Sequence, residues 1–134
     1  MNQTDMKTLL KAQQGELDAV LMYNALADTV KDKNDAETFR RLAAEEGRHA
    51  SVFKNLTNQT LKPKKTLATL LPILYHLLGR KRLYPIIAKF EYGTADTYEP
   101  VAADFPDVQS VKDDEKRHGD AIMGLIGKSV CTSN

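Results

Sequence analysis

Each of four predicted long helices carries one glutamate in the middle of its apolar face. These glutamates are Glu16, Glu46, Glu91 and Glu115. A carboxylate buried alone is costly, and four buried carboxylates that face one another repel strongly. Bound metal cations would remove both the cost of burial and the repulsion. Otherwise these carboxylates must be satisfied by hydrogen bonds inside a bundle, or their helix faces must be turned to solvent.

The helices are predicted from apolar residues that recur at steps of three and four. The segments are residues 4–31, 35–57, about 83–103 and about 106–127. Asn34 is expected to cap the second helix, with Glu37 completing a capping box, and Pro85 and Pro106 fit the first turns of the third and fourth. No strand-like alternation appears. The sequence thus predicts an all-α four-helix bundle with a short crossover helix between the second and third long helices, as a single domain over 1–134 with a core of about 4–127.

Two of the three histidines follow one of these glutamates by three residues, as Glu46-x-x-His49 and Glu115-x-x-His118. This spacing puts both side chains on one helical face, within reach of a common metal ion. With 7 glutamates in 134 residues, a histidine has such a neighbour by chance about once in twenty. Two copies on apolar faces therefore favour a metal site. Carboxylate and imidazole ligands without thiolate suit iron, with manganese as the alternative.

A weak internal repeat supports a two-fold arrangement. Glu16 is followed by Tyr23 seven residues later, and Glu91 by Tyr98. Each half of the chain therefore contains a Glu-x6-Tyr element and then a Glu-x-x-His element, which suggests one helix pair per metal. The two tyrosines have two interpretations that the sequence leaves open. They either donate hydrogen bonds to ligand carboxylates or act as aromatic core residues.

Other polar residues near these motifs are given less specific roles. Glu45 and Asp114 each precede a motif glutamate by one residue, so they point about 100° away and are expected to be solvated. Glu99 is off its apolar stripe in the same way. His76 has no carboxylate at helical spacing and is expected to be a packed or surface histidine. Cys131 is expected to be incidental, in a frayed tail.

Charge and cysteine content exclude several classes of protein. Lys plus Arg total 19 against 18 Asp plus Glu, so the chain lacks the basic excess of an electrostatic nucleic-acid binder. One cysteine excludes a disulfide framework, a cysteine zinc site and an iron–sulfur cluster within one chain. The polar start does not match a signal peptide, so a cytoplasmic location is expected.

An apolar segment, residues 66–79, joins the second and third long helices. Basic residues flank it on both sides: Lys62, Lys64, Lys65, Arg80, Lys81 and Arg82. The segment is shorter than the roughly 20 residues that span a bilayer. We expect a buried connecting helix, and the alternative is a helix that contacts a membrane surface or a second subunit. Membrane contact is not expected, and a homodimer is predicted.

Three segments resemble the ligand motifs of the ferritin-like di-iron carboxylate proteins, in particular a rubrerythrin-like branch that lacks the rubredoxin module. They are Gly15-Glu16 through Tyr23, the AEEGRHA stretch at 44–50, and Glu115-Lys116-Arg117-His118, and the resemblance covers about residues 5–127. It implies a ferritin-like bundle that holds two iron ions. It also implies that Glu16 and His49 serve one ion, that Glu91 and His118 serve the other, and that Glu46 and Glu115 bridge them.

The resemblance implies a non-haem di-iron oxidoreductase, of peroxidase or ferroxidase type, that reacts with hydrogen peroxide or dioxygen in oxidative stress or iron handling. Glu46 and Glu115 would be its catalytic bridging carboxylates. Thr94 stands where rubrerythrins place a second glutamate one turn after the third-helix ligand, and with one cysteine the electron donor is expected to be a separate protein. Two alternatives are an iron or manganese binding and delivery module without turnover, and an interaction bundle whose working surface is the 66–79 segment.

Overall fold

Five helices make up the protein in the computed structural model, which describes residues 1–131, with side chains described through residue 127. The helices are α1 (Gln3–Thr29), α2 (Lys33–Thr57), α3 (Thr66–Leu78), α4 (Arg80–Ala102) and α5 (Pro106–Cys131). The described part of the chain contains no strand. The all-α prediction is therefore confirmed. The side chain of Cys131 and the last three residues of the predicted domain lie outside the described residues.

Short polar side chains begin the first two helices. The Asn2 side chain accepts a hydrogen bond from the Asp5 backbone N–H at 2.7 Å, and Asp32 accepts one from the Asp35 N–H at 2.9 Å. The predicted cap at Asn34 is therefore wrong, because that residue lies inside the first turn of α2. Asp32 lies two residues earlier, has the extended backbone that a cap requires, and supplies the carboxylate acceptor.

The fourth helix begins at Arg80, three residues before the predicted start. Gly79 ends α3 with a φ of 77°, a conformation that favours glycine, and its carbonyl accepts a hydrogen bond from the Leu83 N–H at 3.0 Å. The next helix therefore starts at once. Pro85 consequently lies in the second turn of α4 and not in the first as predicted. Pro106 is the first residue of α5, as predicted.

The directions of the helices follow from their contacts. Glu16 of α1 meets Tyr98 of α4, and Tyr23 of α1 meets Glu91 of α4, so residue numbers rise along one helix as they fall along the other. Since α1 and α2 form a hairpin through a short turn, α2 and α4 run the same way. The 58–79 connection must therefore return along the length of the bundle, which makes this a crossover bundle.

The core consists of two apolar clusters, one on each side of the glutamate layer. In the first, the Phe39 ring lies 5.8 Å from Tyr23 and 5.2 Å from Tyr84, measured between ring centroids. In the second, the Phe53 and Tyr98 rings lie 5.1 Å apart. Along every long helix the glutamate lies between residues of the two clusters, so the four carboxylates form a polar layer across an apolar bundle.

The connecting helix α3 is largely exposed, so the expectation of a buried connector is wrong. Among its residues only Leu71 is buried, whereas Leu70, Ile73 and Leu77 are 43%, 51% and 74% exposed. The reason is that α3 lies on the outside of the bundle, and only the side that contacts α1 and α4 is covered. No helix within the described residues is long and apolar enough to cross a membrane.

Candidate metal centre

The structure brings all six predicted ligand residues together in the interior, each at most 5% exposed. They form two overlapping sets, and within each set one ligand atom per residue lies within 4.8 Å of the others. The first set is Glu16, Glu46, His49 and Glu115, and the second is Glu46, Glu91, Glu115 and His118. Glu46 and Glu115 belong to both sets. Two adjacent cation sites with two shared carboxylates therefore fit this geometry.

Four buried polar atoms of the cluster make no hydrogen bond of acceptable geometry within the described chain, although other ligand atoms lie close to them. They are Oε2 of Glu16, Oε2 of Glu91, Oε1 of Glu115 and Nδ1 of His118. Buried polar atoms are nearly always hydrogen-bonded, so several unpaired ones in one place require an explanation. All four atoms belong to residues of the two ligand sets. Carboxylate oxygens and imidazole nitrogens are atoms to which hard or borderline metal cations bind. The residues present therefore fit a bound metal.

A buried tyrosine holds one oxygen of each outer glutamate. The Tyr98 hydroxyl donates to Glu16 Oε1 at 2.7 Å, and the Tyr23 hydroxyl donates to Glu91 Oε1. Oε2 of each glutamate remains available for a cation. Burial and the adjacent carboxylates raise the pKa of both tyrosines well above 10, so both remain donors. The sequence left open whether these tyrosines donate hydrogen bonds to ligand carboxylates or act as aromatic core residues. They do both, since both rings also pack in the core clusters.

Two carboxylates that were expected to be solvated instead contact the histidines. Asp114 Oδ2 lies 2.8 Å from Nε2 of His49, and Glu45 Oε1 lies 3.0 Å from Nε2 of His118. The side chains of both acids are about one-fifth exposed. The expectation was wrong because it considered only each residue's own helix. Since α2 and α5 are antiparallel neighbours, the acid that flanks one motif faces the histidine of the other.

These contacts orient both imidazole rings. A carboxylate at Nε2 favours the tautomer with a proton on Nε2, which leaves Nδ1 to face the cluster. Nδ1 of His49 lies 3.0 Å from Oε1 of Glu46 and 3.0 Å from Oε1 of Glu115, and Nδ1 of His118 lies 3.2 Å from Oε1 of Glu46. A histidine held in this way by an outer carboxylate is a common arrangement at protein metal sites.

A sequence model of the rubrerythrin family matches residues 7–77, slightly more than half of the chain. The chain belongs to the rubrerythrin family. The matched segment contains Glu16, Glu46 and His49, whereas the ligand candidates on α4 and α5 lie beyond it. For those residues the buried cluster shows that they lie beside Glu16, Glu46 and His49. No curated protein and no solved structure matches the chain.

Three other residues, for which the sequence made predictions, lie outside the cluster of this rubrerythrin-family chain. His76 is exposed on α3. Glu99 is 64% exposed and pairs with Lys112, so its predicted solvation is confirmed. Thr94 is half-buried, and its hydroxyl donates to the Phe90 carbonyl at 2.9 Å. The position one turn after Glu91 therefore supplies no further carboxylate.

In the metal-free cluster the two shared glutamates, Glu46 and Glu115, differ in protonation, and the outer Glu16 resembles Glu115. Burial, together with repulsion from Glu46, raises the pKa of Glu16 to about 8. Burial and the neighbouring Glu16 raise the pKa of Glu115 as well. Burial also opposes ionisation of Glu46, but the adjacent His118 and His49 outweigh it and lower the pKa of Glu46 to about 2. Glu46 therefore stays ionised without metal.

The two histidines keep their protons because the glutamate side chains beside them favour the charged imidazolium form. Burial lowers the pKa of His49, but hydrogen bonds to the side-chain oxygens of Glu115, Glu16 and Glu46 outweigh burial and raise it to about 12. Glu46 and Glu91 likewise raise the pKa of His118 to about 10, against the effect of burial. At neutral pH the metal-free cluster thus carries protons where a cation would bind. Metal binding must displace these protons, as expected for a site with histidine ligands.

Asp114→Asn is expected to weaken metal binding by about 10–100-fold, the usual effect of losing an outer partner of a histidine ligand. The amide keeps the shape of Asp114 but loses the charge that favours the Nε2 proton of His49. Titration of the metal-free protein with Fe²⁺ without oxygen measures the effect. Asp113→Asn is the matched control, because that neighbouring residue is exposed and bonds only to Gln109 among the contacts seen. Equal affinities of the two variants would contradict the assigned role of Asp114.

Proposed function

We propose that this rubrerythrin-family chain is a cytoplasmic, non-haem di-iron oxidoreductase that reacts with hydrogen peroxide or dioxygen. The observation that carries the proposal is the overlap of the two ligand sets at Glu46 and Glu115. Carboxylates shared by two sites hold two cations close together, which is what joint reduction of one oxidant requires. Carboxylate and imidazole ligands suit iron, and manganese is the alternative metal.

In this proposal each residue of the cluster has a distinct role. Bound iron would supply the electrons that reduce the oxidant. Glu16 and His49 would hold one ion, and Glu91 and His118 the other, with Glu46 and Glu115 between them. The two tyrosine hydroxyls fix the outer glutamates through Oε1, so only small movements of these carboxylates are needed on binding.

The position of Thr94 supports a centre with six protein ligands. Its hydroxyl bonds to the backbone of its own helix and extends no carboxylate toward the cluster. We therefore propose a peroxidase or ferroxidase that works without the additional glutamate that the resemblance to rubrerythrins places there. The single cysteine cannot form a four-cysteine electron-transfer centre, so the donor would be a separate protein.

We also propose that the chain forms a homodimer. The exposed apolar residues Leu70, Ile73 and Leu77 of α3 support this proposal, because they form an apolar surface on one helix face. Light scattering tests it, since a monomer would have the 15.0 kDa mass of one chain.

Metal analysis and rapid mixing test the proposed activity. We expect two iron ions per chain after loading with Fe²⁺ without oxygen, and a fast absorbance change when the loaded protein is mixed with peroxide or air. Repeated turnover with a reductant distinguishes an enzyme from a delivery module, which would react once and stop. Loaded protein that reacts with neither oxidant would contradict the proposed activity, and protein that binds no metal would favour the interaction bundle.

A further inference from the structure

A cavity of about 580 Å³ opens between α1 and α4 beside α3 and extends to the glutamate cluster. Its floor, defined as the carboxylates that line it, consists of Glu16, Glu46, Glu91 and Glu115. The cavity therefore connects the candidate metal centre with the protein surface. Within an otherwise close-packed core, a space of this size is unusual.

The cavity is much larger than either proposed oxidant requires. A water molecule, which is similar in size to dioxygen, takes up about 30 Å³ in the liquid. Sites that bind organic small molecules typically measure about 300–1,000 Å³ and are mostly apolar, with a few polar groups at defined places. The measured volume falls in that range, so the cavity has room for an organic molecule in addition to an oxidant.

Most of the residues that line the walls and the opening of the cavity are apolar, although three threonines also line it. The buried residues of the walls include Ala12, Met22, Leu71, Leu83 and Ile87. Four larger side chains at the opening remain in contact with water: Leu67, Leu70, Ile86 and Phe90 are 39%, 43%, 46% and 71% exposed. Covering such surface with an apolar molecule is favourable, by roughly 25 cal/mol for each Å² removed from water.

The charges of the lining residues further limit which molecule the cavity can bind. The four charged residues at the floor are glutamates, and Lys11, the one basic residue among the described residues that line the cavity, lies exposed on α1. A carboxylate or phosphate group would therefore find no basic partner at the floor, and burial of an unpaired charge is costly, whereas a hydroxyl group can hydrogen-bond with the glutamate side chains there. We propose that the cavity binds an uncharged, largely apolar organic molecule with a hydroxyl group at the end that faces the glutamates. Its binding requires only the cavity, and its role as a substrate rests on the proposed function.

Gly15 offers a way to block the cavity with little disturbance of the bundle. It lines the cavity from an exposed position on α1, and a Cβ atom added there meets nothing within 4 Å. The side chain of a phenylalanine at this position would meet no clash at its Cβ atom, and its ring would occupy part of the cavity. Gly93 gives a matched control, because it is also exposed and helical, has the same free space, and does not line the cavity.

Binding is measured on the metal-free protein with the uncharged fluorescent probe N-phenyl-1-naphthylamine. We expect saturable binding of one probe per chain, displaced by 4-hexylphenol much more effectively than by decanoate. Gly15→Phe is expected to weaken probe binding by about tenfold or more, because an aromatic ring fills space that the probe needs. Gly93→Phe is expected to bind like the unmodified chain. Circular dichroism of both variants verifies that they are folded.

Three results would overturn the proposal. They are the absence of saturable binding, equal affinities of the two phenylalanine variants, and displacement by decanoate as effective as by 4-hexylphenol. A fourth contradicting result can come from light scattering at the concentrations used. If only dissociated chains bound the probe, a second copy of the chain would fill the cavity in the dimer. Because the assay uses no metal and no oxidant, probe binding can succeed where peroxide reactivity fails, and the reverse.

Discussion

Replacing Glu46 by glutamine is expected to remove both metal ions from the protein. Glu46 belongs to both ligand sets, and it remains ionised in the metal-free cluster. Glutamine has nearly the same size and keeps one oxygen acceptor, but it loses the negative charge that a shared ligand supplies to two cations. Glu91→Gln, in contrast, should remove one ion and leave the other, because Glu91 belongs to one set.

The expected loss of affinity in Glu46→Gln exceeds the about 10–100-fold effect of an outer partner, because Glu46 would contact the metals directly. Metal-induced stabilisation should disappear with it. A ligand at about 1,000 times its Kd stabilises the folded state by about 4 kcal/mol, so the shift in Tm on metal addition is large and easily measured. Iron per chain after gel filtration and Tm with and without metal provide the two readouts.

Glu37→Gln is the control for this experiment, since Glu37 lies on the same helix at an exposed position. We expect it to keep two ions and the full shift in Tm. Comparison of the metal-free proteins separates metal loss from misfolding, because Glu46 also contacts both histidines. A Glu46→Gln protein that retains one ion at unchanged affinity would show that the carboxylate is not shared.

The sequence predicted those features of the centre that depend on one helix at a time. A spacing of three puts Glu46 beside His49 on any α-helix, and the apolar stripe shows that both point inward. Two such motifs with two further inward glutamates then imply a shared site. Which groups meet across helices depends on the geometry of the bundle. This explains why the sequence predicted that the six ligand candidates lie together, whereas it missed the acids that contact the two histidines.

Glu45 and Asp114 show what the sequence could not supply. The predicted direction of each side chain on its own helix was right. Whether the side chain is solvated depends on what lies in that direction, and on this side α2 and α5 face each other. One signal was available, since an acid precedes the glutamate in both motif copies. The exposure of α3 was missed for a related reason, because an apolar composition does not show how many sides of a helix are covered.

Asp35 is a buried residue that local patterns gave no reason to select. Its side chain accepts hydrogen bonds from Arg80 Nε at 2.9 Å, from Arg80 Nη2 at 2.8 Å and from the Tyr84 hydroxyl at 2.6 Å. Arg80 also donates to the Leu125 carbonyl at 3.2 Å, so the group connects α2, α4 and α5. From sequence, Arg80 was one of several basic residues that flank an apolar segment. Its partner is 45 residues away in the chain, beyond the reach of helical spacing.

Asp35→Ala is expected to destabilise the metal-free protein by about 3 kcal/mol. Asp35 is fully buried, and removal of one partner from a buried ion pair typically costs about 3–5 kcal/mol. We take the lower value because the Arg80 side chain is 26% exposed and can be partly solvated. For a domain of this size the expected fall in Tm is on the order of 10 °C. Urea unfolding and thermal unfolding without metal measure both quantities.

Asp28→Ala is the matched control for Asp35→Ala, because Asp28 also pairs with an arginine. Its partner Arg40 lies at 2.7 Å, but both side chains are more than half exposed, and such surface pairs contribute about 0–1 kcal/mol. A double replacement, Asp35→Leu with Arg80→Met, tests the mechanism further. It removes both charges and keeps apolar volume, so it should recover much of the stability lost in Asp35→Ala. Equal losses in Asp35→Ala and Asp28→Ala would contradict the prediction, since burial is the property by which the two ion pairs differ.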